Sequence, residues 1–94
     1  MSVQSTQTEG LAELEARVAA LVEENAQLRF ALESRIVIEQ AKGIIAERYR
    51  LDVDEAFEAI RRASRTNRMK LHDLAGRIRP GERTPPELAA LLDV

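Results

Sequence analysis

The 94-residue sequence has no cysteine, no tryptophan, one histidine (His72) and only three aromatic residues, Phe30, Tyr49 and Phe57. Without cysteine no disulfide can staple the fold, and a single histidine leaves no Cys/His cluster to hold a metal, so no metal or cofactor is expected. So few rings exclude the multi-aromatic stacking platform of sheet-based RNA binders. No apolar run reaches the roughly 18–20 residues that span a bilayer. The polar N-terminus, Met1–Gly10, lacks the regions of a signal peptide. Absent cysteine suits a reducing compartment, and a cytoplasmic location is expected. Catalytic patterns are missing too: no nucleophile beside a base, no phosphate-cradling glycine loop, no carboxylate pair set for acid–base work. Asp52 and Asp54 read better as charges at a helix start, where the dipole favours them. An enzyme is not expected.

What is present is helical throughout. Leu11, Leu14, Val18, Leu21, Leu28 and Leu32 recur three and four apart, the spacing of a coiled-coil seam. With Leu11 and Val18 at a and Leu14 and Leu21 at d, Asn25 falls at a. A lone Asn there fixes register in a parallel two-stranded coil, because its amides pair across the axis only when the helices align. Glu24 then lies at g and Arg29 at the next e, opposite charges in the positions a parallel dimer pairs. A long helix packed on its own domain is the other reading, but no second apolar surface in the chain is large enough to cover it. From Leu32 to Tyr49 the narrow seam widens into Ile36, Val37, Ile38, Ala41, Ile44 and Ile45, as in a helix that packs against several neighbours. The expectation is one helix with two tasks: a dimer stalk up to Arg35, then the first helix of a bundle. A compact unit of roughly 50 residues is marginal alone, so oligomerisation is its natural support.

Asp52-Val-Asp-Glu55 is a capping box, and opens a second helix with Ala56, Phe57, Ile60 and Ala63 on its apolar face and Phe57 in the core. Glu58 precedes Arg61 and Arg62 by three and four residues, a supportive pairing. Asn67, a residue tolerant of left-handed backbone, is expected to end this helix. Met69, Leu71, Leu74, Ala75 and Ile78 make a third amphipathic stretch, stopped at Pro80-Gly81. Thr84-Pro-Pro-Glu87 reads as another cap, with a short helix Pro85–Leu92 after it. His72 is expected on an exposed helix face. Gly43, mid-helix, costs roughly 1 kcal/mol against alanine. It is either simply tolerated or kept for close approach by a neighbour, and the sequence leaves both open. The fold class is therefore all-α, divided into a disordered tail (1–10), a coiled-coil dimerisation helix (11–35), a three-helix bundle (36–79) and a C-terminal tail with a short helix (80–94).

The formal net charge is only −2, yet the charges are unevenly placed. Residues 1–41 hold three arginines against seven acids, whereas Arg61, Arg62, Arg65, Arg68 and Lys70 fall within ten residues with no acid among them. Cations at a helix C-terminus are favourable for local reasons. Five exceed what a dipole needs, and guanidinium forks suit phosphates and stack on bases. Arg35 and Lys42 are placed to extend that surface from the first helix.

The ordered string Ser34-Arg-Ile-Val-Ile-Glu-Gln-Ala-Lys-Gly-Ile-Ile45, Asp54-Glu-Ala-Phe57, Ile60-Arg61, Ala63-Ser64, Asn67 and Lys70-Leu-x-Asp-Leu-Ala75 resembles the ANTAR domain, the RNA-binding module of bacterial transcription antitermination regulators. The resemblance covers residues 32–79. It implies a three-helix bundle on a coiled-coil homodimer that binds two tandem hairpins in nascent leader RNA, one per protomer, and so keeps a competing terminator stem from forming. Matched position by position, it implies RNA contacts at Lys42, Arg61, Asn67 and Lys70, flanked by Arg35, Gln40, Ser64, Arg65 and Arg68. It puts Ala41, Ala56, Phe57, Leu71, Leu74 and Ala75 in the core. Two departures stand out. Arg50 occupies a place where the family commonly turns with glycine, so a different loop is expected before the second helix. Members also commonly carry a sensor domain ahead of the coil, and none is visible here. That leaves two arrangements open, a constitutive dimer or a separate sensor protein docked on the stalk. Two other functions fit the residues alone: a helix-turn-helix DNA-binding regulator using the basic junction, and a coiled-coil protein-interaction module with a basic face.

Overall fold

A computed structural model describes residues 2–93. It is all-α, with helices α1 (Ser2–Tyr49), α2 (Val53–Thr66), α3 (Leu71–Gly76) and α4 (Pro86–Leu92), and no strand among the described residues. The chain divides into two units, one ending at Leu32 and one beginning at Glu33. In the first, α1 starts at Ser2 instead of Leu11, taking in residues expected as a disordered tail. No proline precedes Pro80, and Gly10 alone costs a helix only about 1 kcal/mol. Residue 1 of that tail, like Val94 at the other end, lies outside the described residues. Leu11, Leu14, Val18, Leu21, Leu28 and Leu32 are all exposed, each near three-fifths of its surface. Among the described residues none covers these side chains.

The second unit is the packed one. Ala41 and Ile45 of α1, Ala56, Ile60 and Ala63 of α2, Leu74 and Ala75 of α3, Ile78 beyond it and Leu88 of α4 form its buried core. Four of these nine are alanines, and such small side chains let helix axes approach closely. Spacings of four, as at Ala41–Ile45 and Ala56–Ile60, put each pair on one helix face. The expected three-helix bundle thus has a fourth member. Leu88 is 0 % exposed and packs α4 against α2, a burial worth about 1.5–3 kcal/mol. Leu71, expected in the core, is only half-buried. His72, expected on an exposed face, is half-buried as well.

The helix ends explain how the bundle turns. Asp52 caps α2 as anticipated: its Oδ1 accepts from the Glu55 amide at 2.7 Å, and Glu55 Oε1 accepts from the Asp52 amide at 3.4 Å. The Glu55 amide holds the Asp52 carboxyl below its ordinary range. α1 ends in a Schellman motif, with the Leu51 amide donating to the Ala46 carbonyl at 2.9 Å and Arg50 between them at φ 55. The loop before α2 therefore keeps a glycine-type turn although arginine occupies it, contrary to the expectation of a different loop. α2 ends the same way. The Met69 amide reaches Ser64 O at 2.8 Å, the Arg68 amide reaches Arg65 O at 3.2 Å, and Arg68 sits at φ 53. Asn67, expected to be the left-handed residue, has φ −99. It acts through its side chain, Nδ2 donating to Ala63 O at 2.8 Å.

α3 is shorter than the apolar spacing suggested, leaving Met69 in the turn before it and Ile78 just after it. α4 begins at Pro86, and its N-cap is Pro85, which offers no side-chain acceptor. Thr84, expected to cap α4, serves another contact. Its Oγ1 accepts from Arg48 Nη1 at 2.8 Å and from the Tyr49 hydroxyl at 3.0 Å, while Arg48 Nη2 donates to Arg79 O at 3.1 Å. The end of α1 is thus fastened to the segment that leads into α4. Arg77 adds an ion pair, Nη1 lying 3.0 Å from Glu87 Oε2 at an angle short of a hydrogen bond, and holds the Glu87 carboxyl below the usual carboxylate range.

Candidate nucleic-acid interface

Two groups of cations stand on the second unit. The first is built across α1 and α2 around Phe57. Lys42 Nζ lies 4.9 Å from the Phe57 ring centroid and Arg61 Cζ lies 5.6 Å from it. Each cation also meets a carboxylate three residues before it: Lys42 Nζ is 3.2 Å from Glu39 Oε1, and Arg61 Nη1 is 3.1 Å from Glu58 Oε1. Phe57, expected in the core, is instead half-buried at its edge. Its place four residues before Arg61 was the available signal, since such pairs share a helix face.

The second group is the corner between α2 and α3. Arg65, Arg68 and Lys70 are exposed there, as is Arg62. Arg65, in the last turn of α2, is where a cation complements the helix dipole. Arg68, one position past the C-cap, gains from the same dipole. Arg68 holds a left-handed backbone that costs any residue with a Cβ about 1–2 kcal/mol. Lys70 is the N-cap of α3 and makes no capping hydrogen bond. An ammonium there cannot accept from the first amides and opposes the dipole. Stability of the helix ends therefore does not account for Lys70.

The remaining candidates divide. Arg35 is exposed seven residues before Lys42, two turns along the same face of α1. Gln40 is two residues from Lys42, roughly 200° around the helix. It lines a groove of about 580 Å³ on the other side, with Val37, Gly43, Ile44, Ala75 and Gly76. The structure does not bring it to the cationic face. Gly43 lies in the open there, and a Cβ on it meets nothing within 4 Å, so packing within the chain does not require glycine. Ser64, expected as a flanking contact, is instead 4 % exposed, and its hydroxyl donates to Arg61 O at 2.7 Å. A hydroxyl that is both buried and turned back onto its own helix is not offered to a ligand.

Among the described residues no group of carboxylates and histidine could hold a metal, and no helix is long and apolar enough to cross a membrane. The family model for the ANTAR domain matches residues 26–78, more than half of the chain. No curated protein and no solved structure matches it.

Proposed function

Because the chain belongs to the ANTAR domain family, a family of RNA-binding antitermination regulators, we propose that it works as a parallel homodimer gripping two tandem hairpins of nascent leader RNA, one per protomer. Holding both hairpins keeps the competing terminator stem from closing, and polymerase continues. The RNA contacts of this reading are Lys42, Arg61, Asn67 and Lys70, with Arg35, Arg65 and Arg68 beside them. Single-stranded loops are where protein side chains reach RNA bases, and a two-fold protein suits a paired site.

The observation that carries the proposal is the exposed corner of Arg65, Arg68 and Lys70, in which Lys70 is a cation kept at an N-cap that disfavours it. The dimer is supported by the uncovered leucine seam, with Asn25 at one a position to set its register. A DNA-reading alternative is disfavoured by α3, which at six residues is only about 9 Å long, short for a helix laid in a major groove.

Gel-shift titration at one fixed moderate salt concentration tests this directly, using a synthetic RNA with two tandem stem-loops and a palindromic DNA duplex as competitor. Tight binding to the RNA and weak binding to the duplex is expected, and a repeat at higher salt should lower the RNA affinity. A preference for duplex, or a monomer by equilibrium sedimentation, overturns the reading. A triple charge reversal, Arg61→Glu with Arg65→Glu and Lys70→Glu, tests the protein-interaction alternative. Unchanged RNA affinity in an intact dimer would favour that alternative.

A further inference from the structure

We infer that Phe57 is a positioning residue for RNA, its ring holding Lys42 and Arg61 as a pair set to grip one backbone phosphate; this deepens the RNA-binding reading above and rests on it. The two cations come from different helices yet converge on one ring, at 4.9 and 5.6 Å from its centroid. Like charges on long side chains drift apart unless something between them attracts both, and the negative face of an aromatic ring does so.

Burial supports this over a plain surface ion pair. The Lys42 side chain is only 15 % exposed while its partner Glu39 is 56 % exposed, so contact with the carboxylate is not what covers the lysine. The same order holds on α2, with Arg61 at 43 % and Glu58 at 61 %. In each pair the cation is the more buried member. Ring and cations form the inner layer, and the two carboxylates lie outside as counter-ions that a phosphate replaces. A leucine at position 57 would serve the apolar face of α2 equally well, but only an aromatic ring presents a face to both cations.

The experiment measures binding of the synthetic two-hairpin RNA at fixed salt by wild type, Phe57→Leu and Phe57→Tyr, together with a Lys42→Ala/Arg61→Ala chain with and without Phe57→Leu. Phe57→Leu is expected to weaken binding about tenfold, from two cation–ring contacts of modest strength. Phe57→Tyr restores it, and in the chain lacking both cations Phe57→Leu adds nothing further. The upfield ring-current shift of the Lys42 ε-methylene protons, present in the wild type, disappears in Phe57→Leu. That signal is read in the folded wild type, so the Lys42–ring contact on which the inference rests is tested even where Phe57→Leu loses stability. Equal affinity of wild type and Phe57→Leu, or unshifted Lys42 ε protons, overturns the inference while the RNA reading stands. Failure of the wild type to bind the RNA at all removes both.

Discussion

Replacing Arg50 and Arg68 by glycine separates what these arginines cost the fold from what they give the surface. Both hold left-handed backbone, φ 55 and φ 53, at the ends of α1 and α2. For a residue with a Cβ that conformation costs about 1–2 kcal/mol, which glycine avoids. Glycine also frees the unfolded chain, which returns roughly 0.4–1 kcal/mol of the gain. Each substitution should therefore stabilise the protein by about 0.5–1 kcal/mol, and the two turns share no hydrogen-bond partner, so their effects should add. The pair should raise the melting temperature by several degrees, since about 1 kcal/mol moves a domain of this size by roughly 4–8 °C. Urea unfolding at one protein concentration is the assay, because association would make the midpoint concentration-dependent. Arg50→Ala and Arg68→Ala are the controls, since they remove the side chain and keep the strain. If either glycine variant is no more stable than its alanine control, the account of these turns is wrong. Binding then divides the two sites: Arg68→Gly should weaken the two-hairpin RNA several-fold, and Arg50→Gly should leave it unchanged.

Further outcomes follow from other contacts. Leu88→Ala should cost about 2–4 kcal/mol in urea unfolding, because that side chain is fully buried between α4 and α2. Glu58→Gln should raise RNA affinity a few-fold at low salt by freeing Arg61, an advantage that vanishes as salt is increased. Asn25→Leu should raise thermal stability while loosening register or increasing oligomer order; an unchanged dimer with a lower melting point in sedimentation and thermal scans contradicts it. Acid should weaken the fold in a defined direction. The Glu55 amide holds Asp52 below its ordinary value of 3.8, and Arg77 holds Glu87 below 4.5. A carboxylate depressed in the folded state stabilises above its unfolded pKa, and that contribution is lost as pH falls through the folded one. The urea midpoint should thus drop as pH falls below these two values, and the drop should shrink in Asp52→Asn.

What could be read from sequence was what short-range chemistry decides. The capping box at Asp52 and Glu55 was legible because four consecutive residues contain all of it. The helix carrying Leu11 to Leu32 was legible because its apolar spacing is regular over several turns. The ends of α2 and α4 were not. Asn67 has the residue type for a left-handed cap, but the turn falls one position later, and sequence alone does not register a helix end to a single residue. Thr84 looked like a cap because Thr-Pro-Pro-Glu is a cap pattern, yet its hydroxyl is claimed by Arg48 and Tyr49, more than thirty positions away in the chain. At the candidate interface, Ser64 and Phe57 exchanged places with respect to expectation. The polar residue turned inward to its own helix and the aromatic one came to the edge, because burial at positions beside an apolar stripe depends on which neighbour arrives, here Lys42 from α1.

The shared Thr84 hydroxyl has a consequence for how such a module is inherited. The recognisable signature stops at Ile78, but the last turn of α1 is tied to a threonine beyond it, and the core is closed by Leu88 further on. Heritable motif and cooperative folding unit therefore have different borders. A gene fusion that copied only the motif would transplant the cationic face without the clasp that keeps it in shape.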